Sequence, residues 1–158
     1  MRPAGSTRAG VAAVALLLAA LAATAAFAAA SPAQLAVSVA KSSFRGNQGS
    51  QWDALHPRYK AVVSRARFVA CERKAAAAVG KITVVNVAAL GTQVITAKLP
   101  LLGKVDVNDV TLAVTFRRAG SRNALIAQID SLWVAHKGRW VRIYAPTEYA
   151  AYRAGRCP

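Results

Sequence analysis

Acidic residues are scarce in this chain. Six Asp and Glu stand against 21 Lys and Arg, a formal charge of +15 over 158 residues. Such an imbalance selects anionic partners, whether envelope polymers, phospholipid head groups or nucleic acid met outside the cell, unless the arginines serve only to keep the surface soluble. Histidine is limited to His56 and His136, which share no ligand spacing and have no acidic cluster beside them, so no metal site is expected. A Gly-x-Ser-x-Gly elbow and a phosphate-cradling glycine loop are both missing, which argues against serine hydrolases and nucleotide-binding enzymes, and no cofactor is expected. Cysteine is limited to Cys71 and Cys157, without the close spacing of a thiolate metal site.

What is present begins with a leader. Arg2 and Arg8 precede an apolar run from Val11 to Ala30, which closes on small residues before Ser31 and Pro32. Basic, apolar and small residues in that order form a secretory signal over residues 1–30, cut after Ala28 or Ala30. The alternative is an uncleaved membrane anchor, since the run approaches the roughly 20 residues that span a bilayer. Most of it is alanine, which contributes little to insertion, so cleavage and a secreted, extracytoplasmic location are expected. No cysteine lies at the cleavage region and the leader has no Arg-Arg pair, which excludes lipid modification and the twin-arginine route. In an oxidising compartment the two thiols are expected to form one Cys71–Cys157 disulfide.

Residues 31–158 are expected to form one domain. Ser31-Pro32 opens a helix, with Ser as cap and Pro at the first helical position, and Gly46 to Gly49 breaks the chain. Ser50-Gln51-Trp52-Asp53 has the form of a capping box, with Trp52 and Leu55 facing a core, and His56-Pro57 ends that helix. A third helix runs from Ser64 to about Ala78, where Phe68, Cys71, Ala75 and Ala78 make a buried stripe and Gly80 closes the end.

Beyond Gly80 the period changes from helical to alternating. A long strand from Ile82 to Ala97 is interrupted near Gly91 by a bulge or a bend. Val110, Leu112, Val114 and Phe116 form one face of the next strand, and turns at Ala119-Gly120-Ser121 and His136-Lys137-Gly138-Arg139 define two more. The expected fold is α+β, with N-terminal helices packed on a curved antiparallel sheet of about four strands.

The helix-then-strand order, with Trp52-Asp53-Ala54-Leu55-His56-Pro57, Phe68, Cys71 and Lys137-Gly138-Arg139-Trp140, resembles the nuclear transport factor 2-like superfamily, in particular its small exported bacterial members of unassigned activity. The chain departs from that family by a short segment between Phe44 and Trp52. The resemblance implies a cone with a pocket between helices and bent sheet, and sheet-to-sheet homodimers are common among such proteins. Catalytic members, the steroid isomerases and polyketide cyclases, hold an Asp or His inside the cone as general base. The weak catalytic candidates here are Asp130, which by alternation shares a face with Ile126, Leu132 and Val134, and Tyr59 or His56 as proton donor. Solvation of Asp130 is the competing reading, and His56 in a His-Pro pair can equally hold its turn by bonding nearby backbone.

Trp52, Phe68, Phe116, Trp133 and Trp140 are the candidate pocket lining, or else simply core. From Arg58 to Lys81 the cations wrap the helix, without stacking aromatics or a recognition helix, so no specific nucleic-acid surface is expected. The expected function is a secreted, non-catalytic binding or structural domain of the bacterial envelope with a small apolar pocket. An isomerase or cyclase using Asp130 and a cationic module binding anionic polymers are the alternatives.

Overall fold

A computed structural model describes residues 30–158, so the leader expected over 1–30 lies, but for Ala30, outside the described residues. Helix α1 spans Pro32–Phe44. Its cap is the one the sequence predicts: Ser31 Oγ accepts from the Gln34 amide at 3.2 Å, and Gln34 Oε1 accepts from the Ser31 amide at 2.9 Å. Two short helices follow, α2 over Gly49–Asp53 and α3 over Pro57–Lys60. The expected capping box at Ser50 is a correction: Gln48 occupies the cap position, and the Ser50 hydroxyl instead donates to the Asn47 carbonyl at 2.8 Å. His56 caps α3, its Nδ1 accepting from the Arg58 amide at 3.1 Å, so the His-Pro pair ends one helix by starting another.

Helix α4, Arg65–Val79, is capped by Ser64 and closed by Gly80 in a positive-φ conformation. The strands are β1 over Ile82–Leu99, β2 over Gly103–Arg118, β3 over Ala124–His136 and β4 over Arg139–Ile143. They form one antiparallel sheet in chain order, the meander expected of strands joined by short turns. The bulge expected near Gly91 is present, with Leu90 as the extra residue, and a second interrupts the ladder at Val85. The fold is α+β.

Two features were not read from the sequence. Residues 54–56 run beside β4 as a short parallel extension: the His56 amide donates to the Arg142 carbonyl, and the Arg142 amide to the Ala54 carbonyl, each at 2.8 Å. The C-terminal tail folds as helix α5, Pro146–Arg153, with Glu148 Oε2 accepting from the Ala145 amide at 2.8 Å.

Two apolar clusters hold these layers together. Ala36 and Ala40 of α1 pack on Val110, Leu112, Val114 and Trp133. Val107, Val134 and Val141 belong instead to a cluster with Phe68, Cys71, Tyr144 and Tyr152. Val107 and Val110 stand three positions apart in a stretch of β2 that pairs with β1 without a register shift, so they point to opposite faces. α1 therefore covers one face of the sheet, the cluster that holds Phe68 and Cys71 of α4 reaches the other, and the C-terminal half of α4 borders the α1 side. Cys71 and Cys157 form a disulfide with Cα atoms 5.3 Å apart, which ties the chain's tail beyond α5 to α4. Arg67 of α4 donates to the Gly155 carbonyl and makes a second tie.

Candidate functional site

Where α4 outruns the second cluster, its small residues border open space. Phe68 and Cys71 are buried as expected, whereas Ala75 and Ala78 are exposed, which corrects the second half of the predicted stripe. Ala75, Ala76 and Val79 instead face a groove of about 850 Å³ whose lining includes Ala36, Val39 and Phe44 of α1. Its sheet side is built from Leu112, Val114 and Phe116 of β2 with Ala127, Ile129 and Ser131 of β3. Short side chains keep the elements from filling the space between them, and the alternation of β2 and β3 supplies an apolar wall.

Part of the lining is polar. Gln51, Glu72 and Arg142 all contribute to it. Gln51 Nε2 donates to Ser43 Oγ at 2.9 Å and to Glu72 Oε2 at 3.2 Å, which fixes the carboxylate against α2. Burial pushes the Glu72 carboxyl above the usual range; Arg142 opposes that shift and Glu148 adds to it. Arg142 is only 9% exposed. Its Nη2 donates to Glu148 Oε1 at 3.0 Å, while its Nη1 is buried and has no hydrogen-bond partner among the described residues. The Tyr144 hydroxyl is likewise buried without a partner, the Tyr152 hydroxyl is buried facing the Glu72 carboxylate, and burial raises both strongly.

Of the five aromatics proposed as lining, Phe116 borders the groove. Phe68 and Trp133 are fully buried and fill the core, while Trp52 and Trp140 pack half-buried against the two clusters. Asp130 shares its face with Ile126, Leu132 and Val134, as alternation requires, but its carboxylate is exposed. It accepts from Thr111 Oγ1 at 3.0 Å, and although alternation turns its side chain away from the paired Leu112 and Ile129, Asp130 is itself among the residues that border the groove.

Tyr59 and His56 lie elsewhere. Tyr59 is buried against Tyr144 and Tyr149, with ring centroids 5.5 and 6.0 Å away, and burial raises its hydroxyl. His56 Nε2 lies 3.1 Å from His136 Nδ1, and His136 is six residues beyond Asp130 on β3, about 20 Å at roughly 3.3 Å per residue. His56 and Tyr59 are thus neighbours, with ring centroids 6.3 Å apart, but Asp130 is not brought to them. Burial, then His136 and Arg58, holds His56 below its ordinary value. Glu72 and Arg142 were not picked out from the sequence, where each is one charge among many.

No family model matches the chain, and no curated protein matches it. Among solved structures it is similar to the solution structure of a SEC-C motif containing protein from Rhodopseudomonas palustris, at 15% identity and a TM-score of 0.47, over 72% of this chain and 76% of that one. That likeness is too distant to carry a functional argument.

Proposed function

We propose that this is an extracytoplasmic, non-catalytic binding domain of the bacterial envelope that takes a small, largely apolar ligand in the groove between α1, α4 and the sheet. The observation that carries the reading is the groove itself. Its volume of about 850 Å³ lies in the range of small-molecule sites, and its lining is mostly aliphatic with a few convergent polar groups. An oxidised Cys71–Cys157 pair is compatible with export, and no helix among the described residues is long and apolar enough to cross a membrane. Helices laid on a four-stranded antiparallel sheet with a groove between them also support extending the nuclear transport factor 2-like resemblance to this chain. Asp130 borders the groove, but it is exposed and accepts from Thr111, a setting that favours a solvated carboxylate over a desolvated general base.

The test is thermal unfolding of the oxidised protein with apolar compounds and with anionic polymers, at low and moderate salt. A ligand at 100 times its Kd stabilises by about 2.7 kcal/mol, a readily visible shift. Salt-resistant stabilisation by apolar compounds, lost when the exposed groove residue Ala76 is replaced by Trp, is the expected result. Stabilisation by polyanions alone, abolished by salt, overturns it. The function then belongs to the cationic surface, a reading favoured by the net charge of +15.

A further inference from the structure

Helix α4 carries a single acidic residue, Glu72. With Ala75, Ala76 and Val79 it stands at spacings of three, four and seven, which is one face of a helix, and all four residues line the groove. The groove thus offers an aliphatic stripe about 10 Å long, at 1.5 Å of rise per residue, with a carboxylate at one end.

The back of that carboxylate is held and its front is open. Gln51 Nε2 donates to Oε2, the Tyr152 hydroxyl faces the group from α5, and Arg142 of β4 lies near enough to oppose the effect of burial. No hydrogen bond reaches Oε1 among the described residues, and this atom stays accessible, whereas Arg142 Nη1 is sealed. An open acceptor on an otherwise positioned carboxylate calls for a donor, and a donor that carries positive charge makes the stronger bond.

Resting on the ligand groove proposed above, we infer that its occupant is an amphipathic primary amine, its hydrocarbon chain along Ala75, Ala76 and Val79 and its ammonium donating to Glu72 Oε1. The local charge favours this head. Arg142 is paired with Glu148 at 3.0 Å, so these two groups and Glu72 together leave one negative charge, and Asp130 in the lining adds another. The remaining cation of the lining, Lys81, lies past the end of α4, at the far end of the stripe. The net charge of +15 sits largely on exposed side chains, and salt at physiological strength screens it over about 8 Å. A carboxylate head would meet Glu72 and Asp130 as like charges. An alcohol can donate to Oε1, but without the charge that roughly doubles the strength of such a bond.

Decylamine, decanol and decanoate share one tail and separate the head from the groove. Titration calorimetry of the oxidised protein at neutral pH and physiological salt is expected to show decylamine binding about tenfold more tightly than decanol, with decanoate weakest. Binding that survives Ala76→Trp belongs to the outer surface and is subtracted. Glu72→Gln, which keeps the size of the side chain, is expected to bring decylamine down to the level of decanol while decanol affinity stays unchanged, the sign that the groove itself persists. The three heads compared on the unaltered protein test the inference without any variant. Decylamine binding no more tightly than decanol, or a preference for decylamine that survives Glu72→Gln, overturns the amine head while leaving the groove standing. Failure of all three to bind removes the groove reading and this inference with it.

Discussion

Replacing Cys157 with Ser probes how much of the fold depends on one covalent tie. Cys157 is exposed, so the change removes the bridge without placing a polar group in the core, which the reciprocal change at Cys71, 4% exposed, would do. The bridge joins residues 86 apart in sequence. In the chain-entropy model a loop of that size restricts the unfolded chain by about 4.5 kcal/mol, and strain or residual structure lowers the figure. A domain of roughly 130 residues unfolds with an entropy near 0.27 kcal/mol/K, so the upper bound on the loss is about 17 °C in Tm. Tyr149 and Tyr152 also lose the anchor that holds α5 against Phe68, so the tail is expected to loosen before the sheet does. Calorimetry of C157S and the parent under non-reducing conditions measures the difference, and reduced parent protein should match the variant. Coincident midpoints for oxidised parent and C157S would refute both the bridge and the argument from loop closure.

Three further outcomes follow from particular side chains. His56 keeps its Nδ1 free of a proton to accept from Arg58 and sits beside His136, so the folded state resists its protonation. The unfolded state binds that proton first: stability is full above about pH 6.5 and drains as the pH falls through the lower folded value, and His56→Asn, which can still cap α3, should flatten urea midpoints over that range. Lys137 holds φ 49° beside Gly138 at φ 76° in the β3–β4 turn, a mirror-image turn that a lysine enters at a cost; Lys137→Gly should raise stability by up to about 1 kcal/mol, and a fall in the urea midpoint would contradict it. Phe68, fully buried between Tyr144 and Tyr152, should cost about 3–5 kcal/mol when cut to Ala, read from the same urea curves.

Much of the fold was legible because local chemistry and tertiary packing agree. Ser31-Pro32, Ser64 and Gly80 mark helix ends by filling or freeing backbone groups, and they do so wherever the helix docks. The alternation of β2 and the bulge at Leu90 likewise follow from strand geometry alone. The misses lie where partners distant in sequence decide. Residues 54–56 extend the sheet because Arg142, far along the chain, offers them its backbone groups. Helix α5 carries a local signal, Pro146 at its first turn and Glu148 two residues on, but its stability comes from burying Tyr149 and Tyr152 against α4. The buried stripe of α4 failed at Ala75 because periodicity states which residues share a face and not whether anything packs on it.

The groove was hidden for a related reason. Large aromatics looked like pocket lining because they offer the most apolar surface, yet that same surface draws Phe68 and Trp133 into the core, where they leave no space. Open volume comes instead from residues too small to fill it: Ala36, Ala40, Ala75, Ala76 and Ala127 all line the groove, and a sequence rich in alanine gives them no distinction. The polar groups are concealed in the same way. Among 21 cations Arg142 carries no motif, and its strand reads as an ordinary β-hairpin arm. Its distinction arises only when β4, α5 and α4 meet, because Glu148 then takes one arm of the guanidinium and burial strips water from the other. A basic composition thus conceals its one informative cation until burial separates it from those that are merely solvated.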